Sequence, residues 1–227
     1  MRPEERENYR YSHGAENPIR KEEQVMFSLL SNGNGKKLLD VGCGIGTIAL
    51  ELQKKGFEVT GVDFSDVAVS KCLQKGLNAI VSDVDEAGLK FPDKSFDVVW
   101  AGDVIEHVFD PIFLFEEMAR ILKDNGRILA TVPNNFPMRK RLNIFLTGKS
   151  IQSNIYRKLR QCKHHTFFSW ELLIYMLSEA KLSVDRYFSI YKIPKTKLQR
   201  ITSNKIIGRL FGRIFIVSAH KSSACVE

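Results

Sequence analysis

The stretch Leu38-Leu39-Asp40-Val41-Gly42-Cys43-Gly44-Ile45-Gly46-Thr47 decides the fold of this 227-residue chain. An apolar run ends in an acidic residue, three glycines follow at every second position, and a helical pattern begins after them. This order predicts a buried strand, a tight turn and a helix. Because glycine has no Cβ, the backbone of such a turn can approach a ligand closely, and the first N–H groups of the helix have no partner within it. We expect a small, polar, nucleotide-like ligand here.

The spacing Gly42-x-Gly44-x-Gly46 differs from two common nucleotide signatures. In the dinucleotide fingerprint G-x-G-x-x-G the third glycine comes one residue later, and no G-x-x-x-x-G-K-[ST] phosphate loop is present. Taken alone, the triplet could be a strand-to-helix turn with only a packing role. The segments that follow decide between these interpretations.

Three further predicted strands end at an acidic residue or a glycine. They are Phe57–Val62 followed by Asp63, Asn78–Ser82 followed by Asp83, and Phe96–Ala101 followed by Gly102. Strands that alternate with helices indicate a parallel sheet with helices on both faces, whose ligands lie outside the carboxyl ends of the strands. Asp63 therefore suits the hydroxyls of a ribose, although it could instead cap the next helix, as Ser65 or Asp66 could.

Four segments in this order resemble the motifs of class I S-adenosylmethionine-dependent methyltransferases over residues 36–134. They are LLDVGCGIG at 38–46, FEVTGVDFS at 57–65, FPDKSFDVVWAGDVIEHV at 91–108 and MARILKDNGRILATVPN at 118–134. The resemblance is closest to the group that includes ubiquinone-pathway O-methyltransferases and MetW-like proteins. It implies an α/β, Rossmann-like, seven-stranded, mostly parallel sheet with helices on both faces, an antiparallel last strand and a small basic cap insertion.

The resemblance also implies S-adenosyl-L-methionine as the cofactor. In the family an acidic residue at the position of Asp83 contacts the adenine amino group, and the segment Gly102–His107 lies under the methionine part. The implied cofactor-binding residues are Asp40, Gly42, Cys43, Gly44, Gly46, Asp63, Phe64, Ser65, Asp83, Val84 and Gly102.

The candidate catalytic residues are His107, Asp103 and His164. His107 could act as a general base near the methyl group, or hydrogen-bond the backbone and fix its loop. Asp103 could orient the methionine amino group or the acceptor, or cap a helix. His164 matches the histidine of the family segment His-x-Arg-Phe-Phe-Thr, but Thr166 stands at the arginine position, which puts that arginine's acceptor contact in doubt.

The tandem histidines could also bind a metal. No third ligand follows them at a suitable spacing, so we expect no metal. Methyl transfer from a sulfonium donor needs mainly near-attack positioning, worth up to ~7–11 kcal/mol. A general base adds about a hundred- to ten-thousand-fold for a hydroxyl acceptor. We expect an acceptor that is a small molecule or is linked to a lipid or glycan, with the methyl group transferred to oxygen. An RNA methyltransferase or a non-catalytic cofactor-binding protein is the alternative.

The chain's length predicts one domain with an insertion. We divide it into an arm and leading helix (1–35), a cofactor-binding core (36–134), a basic cap (135–168) and a carboxyl-terminal part (169–227). Residues 134–227 carry 18 Lys+Arg and 4 Asp+Glu, a balance of +14. The remaining 34 − 18 = 16 basic and 26 − 4 = 22 acidic residues give −6 for residues 1–133.

Basic and apolar residues interleave over 139–163. Such a pattern suits an anionic membrane surface, RNA phosphates, an anionic small acceptor or a merely solvated face. We favour a small-molecule or lipid-linked acceptor over nucleic acid, because the apolar residues are mostly aliphatic rather than a stacking platform. The oligomeric state is left open.

The chain opens without an apolar leader, so we expect a cytoplasmic protein that could bind the membrane peripherally. The four scattered cysteines predict neither a disulfide framework nor a zinc site. The other predicted elements are a leading helix over Glu16–Leu30, a turn at Asp124–Gly126 before a fifth strand ending at Pro133, a helix from the N-cap Ser169 to Ala180, and strands over Leu182–Ile190 and Phe211–Ala219.

Overall fold

The computed structural model describes residues 8, 11–12, 18–148, 164–192 and 198–222. The helices are α1 (Lys21–Ser28), α2 (Thr47–Lys54), α3 (Asp66–Gln74), α4 (Val84–Ala87), α5 (Pro111–Ile121), α6 (Met138–Thr147), α7 (Trp170–Glu179) and α8 (Lys205–Phe211), with a 3-10 turn over Ile105–His107. The strands are β1 (Lys37–Val41), β2 (Glu58–Asp63), β3 (Asn78–Val81), β4 (Phe96–Gly102), β5 (Leu122–Pro133), β6 (Leu182–Lys192), β7 (Gln199–Thr202) and β8 (Gly212–Lys221).

The strands of the described ranges form one sheet in the order β3-β2-β1-β4-β5-β8-β6-β7. The first five strands pair in parallel, and β8 is antiparallel to both β5 and β6. The α/β class and the antiparallel last strand are therefore confirmed. The sheet has eight strands rather than the expected seven, because β7 pairs with the end of β6. The four residues of β7 are mostly exposed, so no apolar alternation marks them in the sequence.

Adjacent residues on the central strands pack on opposite faces of the sheet. Leu38 and Val98 join a core built with α1, α2 and α3, whereas Leu39 and Val99 join a core built with α5 and α7. All four side chains are buried. Because helices cover both faces of the sheet, the sequences of these strands are continuous apolar runs and do not alternate between apolar and polar residues.

Several predicted boundaries shift in the structure. The leading helix begins at Lys21 rather than Glu16, and Arg20 is its extended N-cap. The turn expected at Asp124–Gly126 is absorbed into β5, whose register with β4 shifts between Phe96 and Val98. The predicted N-cap of α7 is confirmed, since the Ser169 hydroxyl accepts a hydrogen bond from the Leu172 N–H at 3.2 Å.

The cap insertion is described only in part. Residues 138–147 form α6, whereas residues 149–163 lie outside the described residues. In the part of the chain that the structure describes, no helix has the length and apolar character needed to cross a membrane.

Candidate functional site

The glycine turn joins β1 to α2 with a backbone that only glycine adopts easily. Gly42, Gly44 and Gly46 have φ values of +71°, +51° and +80°, in the left-handed region. Gly46 is the N-cap of α2, and no side chain caps this helix. The N–H groups of its first turn are therefore available to a ligand.

Asp63 fastens the end of β2 to this turn. One carboxylate oxygen accepts a hydrogen bond from the Gly44 N–H at 2.8 Å, and the other accepts from the Ser65 N–H at 2.9 Å. The helix cap that the sequence left open is Ser65, whose hydroxyl accepts from the Ala68 N–H at 3.1 Å. Asp63 is thus not the cap of α3. Its buried carboxylate lies against the glycine turn, where a ribose would lie in a nucleotide fold.

The strand ends meet at one edge of the sheet, as expected. Val41 pairs with Val62 and Ala101, and Asp63 pairs with Val81. The residues that follow these ends are therefore neighbours in space. They include the half-buried Phe64, Val84 and Gly102, and the exposed Asp83, which caps α4 by accepting from the Asp85 N–H at 3.0 Å.

Cys43 lies in the turn, but its side chain belongs to the core. A Cβ built on Gly61 would lie 2.6 Å from the Cys43 sulfur, so the thiol is packed against β2. Only the backbone of Cys43 can contribute to a ligand site at this turn. Cys43 and Cys72 are both buried, free thiols.

Arg20 reaches Asp103 across the sheet edge, a contact that the sequence does not predict. The guanidinium donates hydrogen bonds to the Asp103 and Glu23 carboxylates. Burial alone lowers the pKa of Arg20, but Glu23 and Asp103 raise it further than burial lowers it. Thr131 holds Asp103 from the other side, because its hydroxyl donates to Oδ1 at 2.7 Å and accepts from the Asp103 N–H at 2.9 Å.

A compact cluster of side chains is formed by Glu106, His107 and His164. The first two follow Asp103 closely in the sequence. The two imidazole rings meet edge to face with centroids 4.8 Å apart. One ligand atom from each of the three residues lies within 4.8 Å of the others. Glu106 is buried, and its Oε2 has no hydrogen-bond partner among the described residues. Burial, with a smaller effect of Asp103, raises the pKa of Glu106 to about 8.

This cluster can do two kinds of chemistry. A buried carboxyl beside two imidazoles can hold and move a proton near neutral pH. Two histidines and a carboxylate are also ligands that catalytic zinc sites use. The expectation of no metal depended on a missing third ligand, and Glu106, which was not among the predicted site residues, supplies one. Its signal in the sequence is the pair Glu106-His107 directly after a strand end.

Hydrogen bonds on either side of Thr166 anchor the segment that begins at His164. The Glu106 carbonyl accepts from the His165 N–H at 2.8 Å. The Asn135 side chain accepts from the Phe168 N–H at 2.9 Å, and Phe168 is fully buried. The segment that begins at His164 is therefore anchored both to the 3-10 turn and to the end of β5.

Residues 11–186 match the methyltransferase-domain family, which is most of the chain. The chain belongs to the class I S-adenosylmethionine-dependent methyltransferases.

Known members of this methyltransferase family share sequence and fold with the chain. A ubiquinone biosynthesis O-methyltransferase of Saccharophagus degradans is 37% identical over 108 residues, 45% of each chain. A 27-O-demethylrifamycin SV methyltransferase of Amycolatopsis mediterranei is 35% identical over 101 residues, 41% of this chain and 37% of that protein. The chain thus spans less than half the length of the curated relatives it matches. The crystal structure of a methyltransferase from Thermotoga maritima shares the fold, with a TM-score of 0.65, 21% identity and 88% of each chain covered.

The methyltransferase site fits S-adenosylmethionine, the cofactor that the family implies. Asp40 is buried at the end of β1, and its Oδ2 has no partner among the described residues. Burial, together with Cys72, Asp63 and Glu23, raises the pKa of Asp40 well above its ordinary range. A cationic group would stabilise this carboxylate, and the cofactor carries both an ammonium and a sulfonium. Arg20 offers the opposite charge for the cofactor's carboxylate.

Proposed function

We propose that the protein transfers the methyl group of S-adenosylmethionine to a hydroxyl of a small or lipid-linked acceptor. The observation that carries the proposal is the cluster of Glu106, His107 and His164 at the same sheet edge as the glycine turn. A proton acceptor beside a methyl-donor site is what transfer to oxygen requires. Transfer to an amine or a thiol depends less on such a group.

Each residue has a role in this reaction. The cofactor supplies a methyl group that is already activated on a sulfonium sulfur. Gly42, Gly44 and Asp63 would hold its adenosine part, and Asp40 with Arg20 its amino-acid part. With that donor bound, the methyl carbon would pass from the sulfonium sulfur to the acceptor oxygen, and His107 or His164 would take the proton of the hydroxyl. Glu106 in its ionised form would stabilise the positive charge that the histidine gains.

Sequence relatives support oxygen as the acceptor atom. Both relatives described above carry O-methyl transfer in their names. Each covers less than half of this chain, so the acceptor itself is inferred only as a class.

A labelled-methyl assay on fractionated cell extract tests the proposal. We expect label in the small-molecule or lipid fraction. Label that nuclease removes would favour RNA methylation instead, and label in no fraction would favour a non-catalytic cofactor-binding protein.

His164→Gln and His165→Gln form a matched pair for the catalytic step. With an accepting substrate, His164→Gln should lower kcat about a hundredfold or more, with little change in cofactor affinity. His165 is exposed and stacks on Phe109, with centroids 4.2 Å apart, so its substitution should matter far less. Equal losses in the two variants would contradict the assignment, and activity that chelation abolishes would indicate a metal at the cluster.

Asp63→Ala tests the cofactor site independently of the acceptor. Calorimetry should show at least about a tenfold weaker cofactor affinity, because a hydrogen bond to a charged group contributes about 1.5–3 kcal/mol. Asp66→Ala, three residues along and exposed, is the control. Unchanged affinity in Asp63→Ala would exclude the proposed ribose contact.

A further inference from the structure

Helix α6 is entirely without buried residues although it carries large apolar side chains. Phe145 is 85% exposed and Leu146 is 75% exposed. Helices on a protein surface usually bury an apolar stripe against the core. The apolar residues of α6 therefore do not serve the core of this domain.

The neighbouring elements β7 and α8 also carry exposed apolar side chains. Ile201 on β7 is exposed, and so are Ile206 and Phe211 on α8. Helix α8 contacts both α6 and β7. The Asn134 amide, just before α6, donates to the Arg209 carbonyl at 3.1 Å and to the Gly212 carbonyl at 3.0 Å, which ties the two helices together. We call α6, β7 and α8 the basic apolar surface.

The charge around this surface has one sign. Residues 134–148 and 198–222 contain no acidic residue. Their basic residues are Arg139, Lys140, Arg141, Arg200, Lys205, Arg209, Arg213 and Lys221. Arg209 pairs with Glu171, and Lys221, at the opposite end of β8, pairs with Asp124. A partner that complements both the charge and the exposed apolar side chains must be anionic on its outside and apolar beneath, as an anionic phospholipid bilayer is.

The basic apolar surface lies at the edge of the sheet that holds the cofactor site. Helix α6 follows the carboxyl end of β5, and α8 leads into β8, whose Ile214 pairs with Pro133 at that same end. Strand β7 pairs with Ser189–Lys192, the carboxyl end of β6. A bilayer that meets this surface would therefore lie on the side of the molecule where the acceptor enters.

We propose that α6, β7 and α8 dock the protein on an anionic phospholipid bilayer and that the acceptor hydroxyl belongs to a molecule resident in that bilayer. The second part rests on the proposed function. The first part depends only on the exposed residues and the charge, so the two can be tested separately.

Vesicle flotation of the full chain tests the docking. Vesicles of phosphatidylcholine with phosphatidylglycerol should carry the protein upward, whereas vesicles of phosphatidylcholine alone should not. Added salt should weaken the binding, because it screens the basic side chains. Equal flotation with both kinds of vesicle, or with neither, would overturn the proposal.

A matched pair of leucine variants locates the contact. Leu146→Ser should weaken vesicle binding about tenfold. Leu73→Ser should not change it, because Leu73 is equally an exposed leucine, 55% exposed, but lies on α3 in the cofactor half. Equal effects of the two substitutions would reject the surface. Competition by RNA that abolishes flotation, or a dimer in solution that Leu146→Ser dissociates, would replace the bilayer with that partner.

Calorimetry with S-adenosylmethionine on the same samples separates the two proposals. Cofactor binding without flotation rejects only the bilayer docking. Flotation without cofactor binding rejects only the proposed function. With both present, faster transfer to a vesicle-embedded fraction than to the same lipids dispersed in detergent would support a bilayer-resident acceptor, and equal rates would contradict it.

Discussion

The cofactor half and the carboxyl-terminal part of this protein use their residues in opposite ways. Residues 1–133 carry a net charge of −6, and Asp40 and Asp63 among them are buried near the glycine turn. Residues 134–227 carry +14, and α6 within them buries nothing. The cofactor half thus fixes its backbone at the glycine turn, whereas α6 leaves its basic and apolar side chains exposed.

Two glycines in left-handed backbone give the largest expected contrast. Gly46 and Gly148 have φ values of +80° and +59°. A Cβ on Gly46 would lie 2.4 Å from Leu77 Cδ1, whereas a Cβ on Gly148 would meet none of the described residues within 4 Å. Backbone strain costs about 1–2 kcal/mol at either position, and overpacking adds about 1–3 kcal/mol at Gly46.

Urea unfolding measures this contrast. Gly46→Ala should lower the free energy of unfolding by about 3 kcal/mol or more and should weaken cofactor binding. Gly148→Ala should lower it by about 1 kcal/mol and leave cofactor binding unchanged. Equal losses at the two sites would mean that the turn is no more tightly packed than the end of α6.

The buried Glu106 should make stability depend on pH. Its pKa is about 8 in the folded protein against 4.5 ordinarily, so between these values the folded protein keeps a proton that the unfolded chain has released. Stability from this group is full below pH 4.5 and is lost as the pH rises through 8. The loss between about pH 6 and pH 9 should be about 2–3 kcal/mol.

Glu106→Gln isolates that contribution. The variant removes the titration of this carboxyl. The charged and titratable groups around it remain, namely Asp103, Arg20, His107 and His164. The raised pKa of Asp40 affects both proteins alike. Thermal unfolding across this pH range should show a flatter profile for the variant. Parallel profiles would indicate that Glu106 is already ionised at neutral pH.

Asn134 ties the chain after β5 to α8, and its loss should have an intermediate effect. Its buried amide donates to two carbonyls, and its Oδ1 accepts from the Phe136 N–H at 3.0 Å. Asn134→Ala should lower the free energy of unfolding by about 1–3 kcal/mol, because buried groups lose their partners. Asn125→Ala, at an exposed position in β5, should stay within about 0.5 kcal/mol. A similar loss of unfolding free energy in both variants would mean that the hydrogen bonds of Asn134 do not stabilise the position of α8.

Phe145 gives the smallest expected effect. Phe145→Ser should change the free energy of unfolding by less than about 0.5 kcal/mol, because the ring is 85% exposed. Phe115→Ala in the core should cost about 3–5 kcal/mol, since Phe115 is fully buried. A loss above about 1.5 kcal/mol for Phe145→Ser would show that the ring packs within the protein and is not a free surface residue.

The strands that end at the site could be predicted because their signals are local. The run before Gly42 is a buried strand, and Asp63 ends the next one. The predicted bounds of β2, β3, β4, β6 and β8 agree with the structure to within two residues. Strand β7 could not be predicted, since its four mostly exposed residues carry no periodic pattern. The turn expected at Asp124–Gly126 was wrong because turn-forming residues can also occupy a β irregularity.

By itself the sequence determined the α/β class, the glycine turn and the order of residues along the strand ends, because backbone conformation follows from side chains close together in the chain. Only the tertiary structure joined Arg20 to Asp103, 83 residues apart, placed Glu106 beside His164, and left α6 and α8 exposed on the cofactor edge. Such contacts depend on the path of the whole chain. The residues adjacent in the sequence do not determine that path, so the local sequence alone does not predict these contacts.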